Sequence, residues 1–279
     1  MTKKIHLNLK RFDVLKQHGG VNTNPDSLNW AKAIIEKVEQ PLATISQKQD
    51  IEFVIYFPEA HLIKAIEACE NTSNVNIGCQ GVFREDVSEG GNFGAFTTHR
   101  TAKSMLQLGV SHTIIGHFEE RKHLSQIFSK VTEEYMTPLN ELLNEEVLQA
   151  QAAGLDVLYC IGESLEQRDQ WREVLRTQIE VGLKNTDTSH ITIGYEPIWA
   201  IGPGKTPPTA EQITEVAAYI KTLLPDSSVI YGGGLKQNNA QKIANIAELD
   251  GGLIALTRFT GEIGFYPDEY IDIIETYFS

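Results

Sequence analysis

A surplus of positive charge, a paired set of cysteines and any long apolar run are all missing from this 279-residue chain. Lys and Arg number 24 against 37 Asp and Glu, a formal charge of −13, which argues against a general nucleic-acid binder. An anionic small ligand is not excluded, because local cations and backbone dipoles decide that. The three cysteines, Cys69, Cys79 and Cys160, are odd in number and widely spaced. They argue against a disulfide framework and for a reducing cytoplasm. No apolar run approaches the ~20 residues that cross a bilayer, so no membrane association is expected. The opening MTKKIHLNLKRF is charged and lacks the apolar core of a secretion signal. No His/Cys cluster has ligand spacing, so neither a metal nor an organic cofactor is expected.

What is present is an alternation. Short apolar runs rich in β-formers recur at 5–9, 52–57, 75–80, 112–117, 156–162, 191–196, 228–233 and 252–257. Each is short and nearly continuous in apolar residues, as strands covered on both faces are. Between them lie segments of helical period, such as SLNWAKAIIEKVEQ, SLEQRDQWREVLRTQIEVGL and TAEQITEVAAYIKTLL, with Ser27, Ser164 and Thr209 as expected N-caps. Eight strand–helix units with no linker imply a single α/β domain over 1–279, a (β/α)8 barrel. On pattern alone an open doubly wound sheet is the alternative. Two connections are long. The one spanning 118–155 has room for two helices, with Pro138 near their junction, and REDVSEGGNFGAFTT follows the third strand.

In a barrel the chemistry sits where the strands end. The first strand ends with Asn8 and Lys10, which as alternate residues point the same way. The fourth ends in His117, the sixth in Glu196, and the seventh runs into Gly232-Gly233-Gly234. An amide, an ammonium, an imidazole, a carboxylate and a cluster of backbone donors suit proton abstraction beside a carbonyl in a phosphorylated substrate. Singly, each has a plain structural explanation: a solvated Glu, a structural His, an exposed Lys, a tight glycine turn. Their convergence at the strand ends of one barrel points to a site.

The segments NLK, IIGHFEERKHL, CIGE, GYEPIWAIGPGKT and YGGG occur in that order along nearly the whole chain. Together they resemble the triosephosphate isomerase family, and the YEPIWAIG–GK block is the most specific of them. The resemblance implies Glu196 as the carboxylate base, His117 as the neutral imidazole that polarises a carbonyl, and Lys10 with Asn8 as donors to the enediolate. Glu119 and Glu163 match supporting positions. It implies a lid over 197–207, with hinges at Pro197-Ile198-Trp199 and Lys205-Thr206-Pro207 and a tip whose backbone N–H groups, Gly202 among them, reach a phosphate. Base and imidazole are expected to face each other across a cavity that this flap seals. The resemblance also implies a small phosphorylated sugar as substrate. A homodimer is implied too, in which the loop from Phe93 to Arg100 reaches the partner's pocket near Asn8 and Lys10.

Four departures from the family pattern stand out. Phe118 replaces the serine that holds the base at rest. Gly234 replaces a phosphate-contacting serine, keeping an N–H but no hydroxyl. Ala255-Leu256 replaces the glycine pair after strand eight, where close backbone approach to a phosphate is expected. In the dimer loop Thr97 is kept, while Thr98 and His99 are new. Arg258, two residues past Leu256, is either a charge-assisted phosphate contact or a salt-bridged or exposed arginine. The expected substrate-binding set is therefore Gly202, Gly233, Gly234, Ala255, Leu256 and Arg258. The leading activity is interconversion of dihydroxyacetone phosphate and glyceraldehyde 3-phosphate. The alternatives are isomerisation of four-carbon erythrulose phosphates, or a silent sugar-phosphate-binding barrel.

Overall fold

Alternate residues of each apolar run enter different layers, because successive side chains of a strand point to opposite faces. The computed structural model describes residues 2–69, 75–201 and 205–279. In it the runs form β1 (Lys3–Asn8), β2 (Ile51–Phe57), β3 (Val75–Cys79), β4 (His112–Ile115), β5 (Asp156–Ile161), β6 (Ile191–Tyr195), β7 (Ser228–Tyr231) and β8 (Gly251–Ile254). Each is parallel to the next, and β8 pairs back onto β1 from Lys4↔Gly251 to Leu7↔Ile254. The sheet is closed, so the open-sheet alternative does not hold. Val54, Tyr56, Ile114, Leu158, Cys160, Ile230 and Leu253 form one buried cluster from alternating positions of five strands. Their neighbours in the same strands, such as Phe53, Ile55, Phe57, Tyr159 and Val229, join the larger core shared with the helices.

The helices include α1 (Trp30–Ser46), α2 (Leu62–Ala68), α3 (Ala102–Leu108), α4 (Phe118–Phe128), α5 (Met136–Ala153), α6 (Trp171–Gly182), α7 (Ala210–Leu223), α8 (Ala240–Ala244) and α9 (Pro267–Tyr277). The long connection does hold two helices, α4 and α5. Pro138 falls in the first turn of α5, where its missing N–H forfeits no intrahelical bond. Helix α1 continues through Pro41, beyond the segment read from sequence. An interior proline costs ~3 kcal/mol. Fully buried Leu42 and partly buried Ile45 offset that, at about 1.5–3 kcal/mol for each large apolar side chain buried.

Of the three expected caps, only Thr209 behaves as expected. It forms a reciprocal capping box with Gln212: Thr209 Oγ1 accepts from Gln212 N at 3.3 Å, and Gln212 Oε1 accepts from Thr209 N at 2.9 Å. Asp26, not Ser27, caps the 3₁₀ turn that leads into α1, accepting from Asn29 N. Helix α6 begins at Trp171, seven residues past Ser164. Ser164 instead closes a local turn, its N–H donating to Gln167 Oε1 at 3.0 Å. Among the described residues, no helix is long and apolar enough to cross a membrane.

Candidate active site

The C-terminal ends of β1, β4 and β6 converge on one polar cluster. At the end of β1, Asn8 Oδ1 accepts from the backbone N–H of Lys10 at 2.9 Å and from Gln80 Nε2 at 3.2 Å. Lys10 is one of few non-glycine residues with positive φ, at +42°. Such a conformation costs roughly 1 kcal/mol or more and persists only where surrounding bonds dictate it. Here the Asn8 bond is joined by one from Gln80 Nε2 to Lys10 O at 3.0 Å. The ammonium of Lys10 donates to Glu119 Oε1 at 2.9 Å and stands 4.9 Å from the centre of the Phe118 ring. Burial works against ionisation of Glu119, but the facing Lys10 outweighs it and holds the carboxyl below its ordinary value.

His117 is the N-cap of α4, and its Nδ1 accepts from Glu119 N at 3.3 Å. A ring that accepts at Nδ1 carries its proton on Nε2. Burial, reinforced by the Lys10 charge, lowers its pKa to about 4, so the imidazole is neutral near pH 7. Its Nε2 lies 3.2 Å from Glu196 Oε1. The other oxygen of Glu196 accepts from the backbone N–H of Phe118 at 2.8 Å. The residue that replaces the family's serine therefore still holds the Glu196 carboxyl, through the main chain, which needs no hydroxyl.

The base and the imidazole touch, where a gap between them was expected. The carboxylate rests between the Phe118 N–H and the His117 ring and covers Nε2. Burial raises the Glu196 pKa to about 8, against the opposing pull of the Phe118 N–H, Lys10 and Arg121. Gly232 makes room for this side chain: a Cβ there would stand 2.8 Å from Glu196 Cγ.

The segment expected as the lid's first hinge is tied to the end of β5. Pro197 precedes a 3₁₀ turn over Ile198–Ala200. Glu163 Oε1 accepts from Trp199 Nε1 at 2.9 Å, from Tyr195 Oη at 3.1 Å and from Arg168 at 2.6 Å. Burial nevertheless pushes its pKa up, with Arg168 opposing. Gly202, the expected phosphate contact at the lid tip, lies outside the described residues.

Gly233 and Gly234 follow β7 and are half-buried, and their N–H groups have no hydrogen-bond partner among the described residues. Ala255 and Leu256 follow β8 and are also half-buried. Of the two readings left open for Arg258, the structure shows the salt bridge. Its Nε donates to Glu269 Oε1 at 2.9 Å, a second guanidinium nitrogen reaches the same oxygen, and the group stacks 3.9 Å from the Tyr266 ring centre. Thr97, Thr98 and His99 lie exposed on the long loop, where His99 stacks on Phe83.

The strand-end reading missed two participants. Gln80 closes the third apolar run and was visible as the polar end of VNIGCQ. The Phe118 N–H was not visible, because a main-chain donor leaves no mark on residue type.

A family model described as triosephosphate isomerase matches residues 22–275. The triosephosphate isomerase of Prochlorococcus marinus (strain MIT 9301) is 34% identical over 221 residues, covering 78% of this chain and 84% of that protein. The triosephosphate isomerase of Geobacter metallireducens is 33% identical over 231 residues, with the same 78% and 84% coverage. A crystal structure of triosephosphate isomerase from Bartonella henselae matches the whole of both chains with a TM-score of 0.74 at 23% identity, which speaks to the fold. With its motifs in register and its barrel closed, this chain belongs to the triosephosphate isomerase family.

Proposed function

We propose that this chain interconverts dihydroxyacetone phosphate and glyceraldehyde 3-phosphate through an enediolate, without a cofactor. The observation that carries the reading is the contact between Glu196 and the Nε2 of a neutral His117, with the carboxylate parked on the Phe118 N–H. Substrate entry displaces Glu196 from that donor. Its carboxylate takes a proton from the carbon beside the carbonyl, and His117 Nε2–H and Lys10 stabilise the oxygen on which charge develops. The protonated Glu196 then returns a proton to the neighbouring carbon, while His117 gives its Nε2 proton to the charged oxygen and takes the hydroxyl proton from the other, which turns ketose into aldose. A neutral imidazole suits the donor role, since it can share a proton with an oxygen that gains and loses charge within one turnover.

Closure of the 197–207 lid excludes water and protects the enediolate from loss of phosphate. The Trp199–Glu163 bond ties the lid's first hinge to β5. Two copies associate through the loop from Phe93 to Arg100, with Thr97 at the partner's pocket. Support for this comes from Phe93, which is 90% exposed at the tip. Three cysteines, odd in number and widely spaced along the chain, suit a reducing cytoplasm.

Purified protein assayed with both triose phosphates and with erythrulose phosphates in deuterated water tests the reaction. Turnover of the trioses with solvent deuterium entering the product is the expected result. Robust turnover of the tetruloses alone would replace the substrate, and phosphate-ester binding with no turnover of either would leave a silent barrel.

A further inference from the structure

The phosphate end of the pocket carries a cation that neither the strand-end residues nor the family positions pointed to. Gly234 sits at φ +93°, a region open mainly to glycine. A Cβ built there would meet Lys236 Cε at 3.5 Å. The stem of Lys236 therefore folds back over Gly234, into the space a side chain at 234 would enter. Its Nζ stands 3.7 Å from the centre of the Phe259 ring, which comes from the loop after β8. The ammonium thus bridges the loops after β7 and β8, the pair that commonly frames a phosphate site in barrels of this kind.

Among the described residues no carboxylate pairs with Lys236, whereas Lys10 has Glu119 and Arg258 has Glu269. Lys236 is partly desolvated, and burial alone lowers its pKa, with no opposing carboxylate. A half-buried cation resting on an aromatic face is held but not satisfied. The same turn carries the N–H groups of Gly233 and Gly234, which have no hydrogen-bond partner among the described residues. The short helix α8, only five residues long, begins four residues past Lys236 and is not needed for this arrangement.

We infer that Lys236 is the phosphate-binding cation of this chain, pairing with the substrate phosphate alongside the Gly233 and Gly234 N–H groups where the family uses a hydroxyl. The assignment rests on the reading of the pocket as a sugar-phosphate isomerase site. It also explains why Ala255-Leu256 is tolerated after β8. An ammonium reaches an anion from the end of a long side chain, and so replaces the close backbone approach that glycines allow. Arg258 does not take this role, because Glu269 already holds it.

The test uses full-length wild type, Lys236→Met, Lys236→Arg and Arg258→Met. Inorganic phosphate binding is measured by titration calorimetry, and KM and kcat with the triose phosphates. Lys236→Met keeps the apolar stem over Gly234, and an unchanged melting temperature confirms that it folds. The expected result is a loss of phosphate affinity and a rise in KM of about 10- to 100-fold, as for removal of one charge-assisted bond. Lys236→Arg should restore most of it, and Arg258→Met should have little effect. Unaltered phosphate affinity and KM in folded Lys236→Met, or a loss confined to Arg258→Met, would overturn the assignment. Wild-type turnover is scored separately. If wild type turns over no sugar phosphate while Lys236→Met still weakens phosphate binding, the isomerase reading falls and the Lys236 assignment stands.

Discussion

The ends of β1, β4 and β6 and the loops after β7 and β8 open on the same face of one barrel, yet they are held in opposite ways. At the first, the functional groups are engaged by neighbours. Asn8 accepts two bonds, Lys10 has Glu119, both ring nitrogens of His117 face partners, and both oxygens of Glu196 are met. At the second, two backbone donors and an ammonium lack anionic or polar partners among the described residues, and only Arg258 is tied down. The first region is organised before the substrate arrives, which is what stabilising developing charge requires. If Lys236 takes the phosphate, the second is organised around the charge that the phosphate brings. This difference also explains where the chain keeps the family pattern and where it departs. The proton-transfer end depends on angles set by several residues at once, so one change disturbs all. The phosphate end needs only positive charge and donors within reach, which different residues can supply.

The largest effect expected at the organised end is loss of the base. Glu196→Gln keeps the shape and the Phe118 contact but cannot take a proton, so kcat should fall by about 10²- to 10⁴-fold while the protein stays folded. Steady-state rates and a thermal melt check this, and a loss under tenfold would break the distinction drawn between the two regions. The same variant reads the cost of the parked carboxyl. A carboxyl raised to about 8 in the folded state contributes stability that is fully present below pH 4.5 and lost as pH rises through about 8. The melting temperature of Glu196→Gln should therefore pull ahead of wild type as pH rises across that window. A gap that opens toward acid pH would contradict it.

The next effect concerns pH and rate. Since the resting base must ionise to act, kcat/KM should rise with pH through an apparent pKa well above 4.5, by about tenfold per unit on the acid side. His117 has the opposite sign in stability. Its lowered pKa means that its contribution is present above 6.5 and lost as pH falls through about 4. Replacing Phe118 by proline should give a smaller shift. Proline is tolerated at the first position of a helix but has no N–H to park the base. The apparent pKa of kcat/KM should move upward in Phe118→Pro and stay near the wild-type value in Phe118→Ser, which keeps the donor. Equal behaviour of the two would show that the main-chain bond is dispensable. The smallest effect is expected from the satisfied group at the open end. Arg258→Met breaks a solvent-exposed ion pair and should leave the denaturant-unfolding midpoint close to that of wild type.

Much of this was legible in residue order. Apolar runs at eight places, each bounded by a helical segment, were enough for a parallel α/β barrel, because strands covered on both faces must be apolar throughout. The strand-end rule placed Asn8, Lys10, His117 and Glu196 on one face before any coordinates. Where helices begin was less legible. Ser27 and Ser164 both look like caps, but packing of Trp30 and Trp171 into the core sets the starts, and a local signal yields when burial of a large side chain outweighs it. The run of α1 through Pro41 has the same cause.

What the sequence alone determined is the architecture and the set of polar residues that meet at the strand ends, since both follow from residue type and spacing along one chain. Only the tertiary structure decided three things. Glu196 is parked on a main-chain N–H, Arg258 is spent on Glu269, and Lys236 folds back between Gly234 and Phe259. Each depends on distances between segments far apart in sequence, or on backbone donors that every residue but proline carries. Which partner a charge finds is settled by the closing of the barrel, and that is where the chemistry of the site is made specific.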